Sequence, residues 1–313
     1  MKAIAGDLPA DDDAWAYEIK WDGMRAVAEL EDGVVRLRTT RGNDAAIAFP
    51  ELARLGEALD SRPGILDGEI VAFDELALPS FGLLQQRMHV ADAATAAARA
   101  AETPVAFVVF DLLHFDGYDS WRLPYLDRRR LLAELVEPGD HWQVPAHRVG
   151  GGAELLAAVR ERGLEGIVAK RPDRPYEPGK RSASWRKVKV RHTQEFVVGG
   201  WLPGEGNRSG HLGALLLGCH RGPGRLDWVG NVGTGFSFAE LSRLGSKLAD
   251  LATDTWPFDE RPIGPKLAAA RWVRPEIVVQ CEFGAWTTDR KLRHATYLGE
   301  RTDKRASEVT CDP

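Results

Sequence analysis

The chain changes character near residue 193, and that change limits what it can fold into. Up to that point short apolar segments alternate with helical ones. Residues 15–21, 26–30, 34–38, 64–73, 105–113, 166–170 and 185–190 read as strands, and 51–59, 127–135 and 152–162 as helices. Glu31-Asp32-Gly33 is a hairpin signal between two of the strands, and the dense apolar run 105–113 predicts a strand buried on both faces. The alanine-rich stretch 91–101 is expected to form a surface helix or a mobile loop. Beyond 193, short strands at 196–201, 214–220, 225–232 and 276–283 are separated by Gly- and Pro-rich turns, with one helix at 238–251. Several short strands with a single helix in a segment of this size suggest a small Greek-key barrel such as an OB-fold. The expectation is an α+β chain with a boundary at 190–196, giving domains 1–193 and 194–313.

Its 313 residues suffice for two cores, and 44% hydrophobic with 28% charged residues is a soluble composition. No apolar run reaches the length of a membrane span, and the first residues lack the apolar core of a secretory signal. Cys219, Cys281 and Cys311 are odd in number and far apart, which fits neither a disulfide framework nor a zinc site and suggests the reducing cytoplasm. The eight histidines show no metal-ligand spacing.

The net charge of −5 speaks mildly against a nucleic-acid partner. Residues 194–313 balance to zero, so the acidic excess lies in 1–193 and any DNA contact must come from local patches. Residues 180–191 form one, with six cations and no acid. Such a run is either a solvated strand or a phosphate-binding surface, and its aromatic residue keeps the second reading open.

Common nucleotide signatures are missing. There is no G-x-x-x-x-G-K-[ST] loop, and residues 230–235 lack the spacing and the strand-helix context of a dinucleotide fingerprint. Glu18-Ile19-Lys20-Trp21-Asp22-Gly23-Met24-Arg25 offers another route. A lysine at a strand end can aim its amine into a pocket while the Asp-Gly turn redirects the backbone. Five more segments follow in order: Arg41-Gly42, 66–71 around Asp67-Gly68-Glu69, 108–113 around Phe110, 165–170 from Glu165 to Lys170, and 185–189 with Lys187 and Lys189. Strand alternation puts the last two lysines on one face.

These six segments in register resemble the motifs of the covalent nucleotidyltransferases, which comprise DNA ligases, RNA ligases and capping enzymes. Residues 292–304, ending in Arg301-Thr302-Asp303-Lys304, are similar to a further motif in the form R-H-P-x-F-x-G-x-R-x-D-K of bacterial end-joining ligases, with Ala295 and Tyr297 departing from it. Residues 80–87, Trp185 and 199–201 also look like the ligase module of LigD-type enzymes, here as a stand-alone minimal enzyme. The resemblance implies an ATP-grasp-like adenylation domain of antiparallel sheets and helices, followed by an OB-fold β-barrel domain.

It also implies roles. Lys20 is the nucleophile that carries AMP, with Lys187 and Lys189 facing the α-phosphate. Glu18, Arg25, Arg41, Glu69, Phe110 and Lys170 bind nucleotide: Glu18 the adenine amino group, Glu69 the ribose, Phe110 by stacking, Lys170 at phosphate. Glu165 and Glu69 hold a divalent metal, Mg²⁺ or Mn²⁺, while Arg301 and Lys304 orient pyrophosphate. The implied cofactor is ATP and the implied substrate nicked duplex DNA. A monomer in the bacterial cytoplasm, associated with the nucleoid and working with separately encoded repair or end-joining proteins, completes the expectation. Residues 201–212 are a candidate clasp on DNA. An RNA ligase or capping enzyme is the rival enzyme, and a non-catalytic nick-binding protein the rival of another class. Lysine attacks phosphorus only when neutral, so burial and neighbouring cations are expected to favour the free amine of Lys20.

Overall fold

The computed structural model describes every residue except 223, 261–263, 265–266, 288 and 312–313. Contacts divide the chain into two compact units, Met1–Val190 and Arg191–Pro313.

The first unit holds two five-stranded sheets. One runs in the order Lys2–Ala5, Arg181–Lys189, Gly166–Lys170, Ala16–Ile19, Arg148–Val149. The other runs Val34–Thr39, Met24–Glu31, Gly64–Ala72, Val105–Phe115, Trp142–Gln143. The chain crosses from the first sheet to the second through residues 20–23, so the lysine motif lies at the crossing. Asp32 and Gly33 both take positive φ, +51° and +76°, the backbone of a two-residue hairpin whose twist matches its strands. Gly166 is required for closeness: a Cβ there would lie 2.2 Å from the Val188 carbonyl oxygen. That approach keeps Glu165 at the mouth of the sheet, next to the strand that carries the paired lysines.

The strand Val105–Phe115 is covered on both faces, with Phe107, Val108, Val109 and Leu112 fully buried. Residues 50–59 form a 3₁₀ rather than an α-helix, which places Leu52, Leu55 and Ala58, spaced by three, in one buried column. The alanine-rich stretch is a helix, Ala93–Glu102, whose first turn is capped by Asp92 accepting from the Thr95 amide at 2.8 Å. A helix that periodicity missed, Phe81–Arg87, is anchored by the fully buried Arg87. Its guanidinium meets the Glu51 carboxylate at 2.8 and 2.9 Å and the carbonyl oxygens of Thr103 and Ala48 at 2.5 and 2.9 Å.

The second unit is organised around the long strand His192–Pro203. One edge of this strand pairs first with Val278–Phe283 and then with Arg271–Val273; the other pairs with Leu212–Gly222, which pairs in turn with Arg225–Val232. Thr296–Glu300, another strand the apolar pattern did not show, adds to Val278–Phe283. The helix Phe238–Asp250 buries Leu241, Leu244 and Leu248, at i, i+3 and i+7, in this unit's core. The result is an OB-type domain whose hydrogen-bonded path stays open rather than closing into a barrel among the described residues.

The cysteine reading is corrected. Cys219 and Cys311, 92 residues apart, form a disulfide, and Cys281 is a free, buried thiol. An odd total conceals one pair and one core residue. The pairing arises because the last described residues return beside Leu212–Gly222: the His220 amide donates to the Val309 oxygen at 2.8 Å and the Cys311 amide to the His220 oxygen at 3.0 Å. Separation in sequence carries no information about such a return. No described helix is long and apolar enough to cross a membrane.

Candidate active site

Between the two sheets of the first unit lies a cleft of about 280 Å³. Lys20, Glu18, Arg25, Glu69, Phe110, Lys170 and Lys187 all line it, so most residues singled out from the sequence are brought together. Arg41 is exposed and does not line the cleft, although its neighbour Thr40 does.

At the polar end Lys20 Nζ donates to Glu165 Oε2, and Lys189 Nζ lies 2.7 Å from Glu165 Oε1. Burial pushes the Glu165 carboxyl up, but the Lys20 and Lys189 charges outweigh it and its pKa falls below the ordinary value. Lys187 is shifted down, first by burial and then by the like charges of Lys189 and Lys20. Three lysines around one carboxylate leave net positive charge where a polyphosphate is expected. Glu69 stands apart: burial raises its pKa to about 8 against the opposing pull of Lys20 and Arg25. A neutral carboxyl at this place is a poor use of burial unless a cation arrives. A magnesium-like ion takes one or two protein carboxylates and completes its shell with phosphate and water, and Glu165 and Glu69 are the residues that would hold one here. Among the described residues no set of three or more acidic, His or Cys groups forms a complete protein cage.

The aromatic end is built from Phe110 and Trp185, edge to face at 6.1 Å between ring centroids. Arg25 lies 5.4 Å from the Phe110 ring centre and 5.6 Å from that of Trp185. It is held there by Asp67, which accepts from its Nε at 3.0 Å and its Nη2 at 2.6 Å, while the Tyr176 hydroxyl donates to the same carboxylate at 2.8 Å. Trp185, Asp67 and Tyr176 were not among the sequence-derived site residues. Trp185 carried a usable signal, since alternation puts it on the face of Lys187 and Lys189. Asp67 reads as part of the strand 64–73 and of the segment around Glu69, and nothing around Tyr176 marks it.

Lys170 is not with the other lysines. The residue is 1% exposed, with its Nζ 2.6 Å from Glu18 Oε2 and ringed by Trp185, Phe110 and Tyr125 at 4.3, 4.6 and 5.0 Å. Burial lowers its pKa and the Glu18 charge opposes that. This placement does not support the phosphate contact expected of Lys170; the amine is aimed at the aromatic end.

In the second unit, Arg301 and Lys304 share one carboxylate, Glu195, at 2.7 and 3.3 Å. Arg301 is also bidentate to Asp303, 2.8 Å on each side, which holds the Asp303 carboxyl down to about 2. Residues 201–212 form the end of a hairpin closed by the Gly204 amide on the His211 oxygen at 2.8 Å.

Residues 2–189 match the family model for the ATP dependent DNA ligase domain, and 208–304 the model for the ATP dependent DNA ligase C terminal region. The chain belongs to the ATP-dependent DNA ligases. The chain is 41% identical over 295 residues to the multifunctional non-homologous end joining DNA repair protein LigD of Mycobacterium tuberculosis, covering 94% of the chain and 37% of LigD. It is 34% identical over 309 residues to a probable DNA ligase of Streptomyces griseus, covering 94% of the chain and 58% of that protein. The chain thus spans little more than a third of the multifunctional relative. Among solved structures, the ligase domain of M. tuberculosis LigD matches with 39% identity and a TM-score of 0.55 over 99% of this chain and 97% of that one. A mycobacterial DNA ligase D complexed with ATP and MES matches with 38% identity and a TM-score of 0.54, over 99% and 98%.

Proposed function

We propose that the chain seals nicks in duplex DNA through an adenylate on Lys20, using the cleft of residues 1–193 as the adenylation site and residues 194–313 as an OB-type partner domain. The observation that supports it most is the division of one cleft into two ends. Lys20 and Lys187 line the cationic end, with Glu165 and Lys189 bonded in series beside Lys20, and Phe110, Trp185 and Arg25 make an aromatic end suited to a purine.

In this reading the Lys20 amine attacks the α-phosphorus of ATP, the bond to the β-phosphate breaks, and pyrophosphate leaves. The 5′-phosphate at the nick takes AMP from Lys20, and the 3′-hydroxyl then attacks that phosphate and expels AMP. Lys187 and Lys189 stabilise charge on the phosphate oxygens, and Arg301 and Lys304 orient the departing pyrophosphate. In the structure Lys20 is paired to Glu165, so attack requires that pair to open and the amine to be free of its proton. A divalent ion held by Glu165 and Glu69 would neutralise phosphate charge and polarise the α-phosphate. Phe110, Glu69 and Glu18 position the nucleoside.

The likeness to LigD supports a place in repair of broken DNA; separately encoded end-joining partners, a monomeric state and a place in the bacterial cytoplasm or nucleoid are further parts of the proposal. The test is incubation with labelled ATP or GTP and magnesium, followed by a denaturing gel. A label from ATP that disappears in Lys20→Ala supports the reading, and so does sealing of nicked DNA in preference to nicked RNA duplex. Absence of any adduct, or sealing of RNA alone, overturns it.

A further inference from the structure

At and behind the aromatic end of the cleft, a set of buried polar side chains converges on Glu18. The Glu18 carboxylate is 3% exposed. Its Oε2 meets Lys170 Nζ at 2.6 Å, its Oε1 accepts from the Tyr125 hydroxyl, and Arg129 Nε lies 3.4 Å from Oε1. Tyr125 and Arg129 stand on the helix Tyr125–Leu135, and both are buried, Arg129 to 1% exposure. The Arg129 guanidinium is fixed from behind by donating Nη2 to the Pro145 oxygen, while Nε and Nη1 have no hydrogen-bond partner among the described residues.

A buried arginine with unmet donors is costly unless its charge is needed. Its neighbour on the helix shows the alternative: Arg128 has every nitrogen met, Nε by Asp111 Oδ1 at 2.6 Å, Nη2 by Asp111 Oδ2 at 2.8 Å, and Nη1 by the Leu123 and Arg174 oxygens at 2.7 and 3.3 Å. Arg129 has no such private carboxylate. Together with Lys170 it surrounds Glu18 with two cations, one more than neutrality requires.

We propose that Arg129 is a positioning residue for base selection: it holds Glu18 as an oriented anion at the inner end of the cleft, so that the site takes adenine and rejects guanine. The inference rests on the adenylation reading above. An ionised carboxylate only accepts hydrogen bonds. It can therefore receive the exocyclic amino group of adenine, whereas the guanine oxygen at the equivalent position meets a desolvated acceptor and is repelled. Unpaired polar contacts in a dry site produce large discrimination between otherwise similar ligands. Burial pushes the Glu18 carboxyl up, and the Lys170 and Arg129 charges more than reverse it, which keeps it in the accepting state. Tyr125 supplies direction: its single hydroxyl bond selects the rotation of the carboxylate about its own axis.

The full chain is tested as Arg129→Met, Arg129→Lys and Tyr125→Phe, by the rate of covalent nucleotide transfer to Lys20 from labelled ATP and from labelled GTP with magnesium. Arg129→Met should lower the ATP-over-GTP ratio of kcat/KM at least about tenfold, mainly through KM for ATP. Arg129→Lys, which restores the charge, should recover most of the ratio. Tyr125→Phe keeps the ring and the charge and should lower the ratio by about two- to fivefold, the size of one modest hydrogen bond. A merely structural role would depress both nucleotides equally and leave the ratio unchanged, and that outcome overturns the inference. If Arg129→Met does not fold, Tyr125→Phe decides in the same terms. A parent chain that labels with neither nucleotide overturns the adenylation reading itself, and a parent that labels normally while its variants keep their ratio overturns only the role of Arg129.

Discussion

Lys20 and Lys189 take opposite oxygens of the same carboxylate, Glu165 Oε2 and Oε1. One arrives from the crossing between the two sheets of the first unit and the other from the strand Arg181–Lys189, so a single glutamate ties the proposed nucleophile to one of the two lysines proposed to face phosphate. Removing its charge should act on chemistry more than on stability, because the three groups are only partly buried. Glu165→Gln is expected to lower adenylate formation by about 10²-fold or more with little change in melting temperature, as loss of an electrostatic stabiliser does. Single-turnover labelling of the variant checks this, and near-parent rates would refute it.

Glu69 gives a pH dependence with a definite sign. Its carboxyl ordinarily titrates at 4.5, and in the folded chain burial raises that to about 8. Between those values the unfolded chain has released the proton while the folded chain still holds it. Stability should therefore fall as pH rises from about 4.5 to about 8, and level off beyond. The total is on the order of a few kcal/mol. Denaturant melts in the presence of a chelator measure it, and Glu69→Gln should remove much of the slope. Magnesium should flatten the slope in the parent if Glu69 and Glu165 hold the ion together.

The disulfide predicts a stability that depends on redox conditions. Closing a loop of 92 residues removes denatured-state entropy worth at most about 4–5 kcal/mol. Under denaturing, non-reducing conditions an alkylating reagent should label one cysteine, Cys281, and after reduction all three. Cys219→Ser should lower the melting temperature of the second unit, and adding reductant should do the same to the parent. Three labelled cysteines without reductant would show that the pair does not form.

Phe110 separates a base-binding ring from a core residue. It lines the cleft and is only partly buried, with Lys170 and Arg25 near it. Phe110→Ala should raise KM for ATP about tenfold, in keeping with one stacking contact of roughly 1–3 kcal/mol, and leave the fold intact. A melting temperature lowered as by a core truncation of about 3–5 kcal/mol, with normal affinity for ATP, would make it scaffold instead.

What was legible in the sequence is what obeys local rules. Strand alternation placed Lys187 on a common face with Lys189, the Glu31-Asp32-Gly33 turn lies where its positive-φ pair is needed, and the apolar run 105–113 is buried on both sides. The residues that hold the site from behind were not legible. Arg129, Tyr125 and Asp67 act through partners 111, 107 and 42 residues away, and no periodicity reports such distances. The strand Thr296–Glu300 escaped because its Gly299 and Glu300 break the apolar pattern, and the cysteine pair because it depends on where the chain returns.

Arg301 and Lys304 provide the last test, of the roles of the two units. Both are tied to Glu195 within the second unit, and Arg301 to Asp303 as well, so they form a preorganised cationic pair rather than two loose side chains. If they orient pyrophosphate, they matter only while ATP is the reactant. Under that reading, once Lys20 carries AMP the pyrophosphate is gone and the pair has no further part in the reaction. Arg301→Ala/Lys304→Ala should therefore lose self-adenylation from ATP by about 10²-fold or more, while sealing of a nick whose 5′ end is already adenylated keeps much of its rate. Removing residues 194–313 should also nearly abolish the first step, although the cleft lies in residues 1–190. Glu195→Gln should show the same selectivity in milder form, because it loosens both cations without removing either. Measuring the two reactions side by side on the double variant decides the matter: equal loss in both, or loss in neither, would exclude a role confined to pyrophosphate.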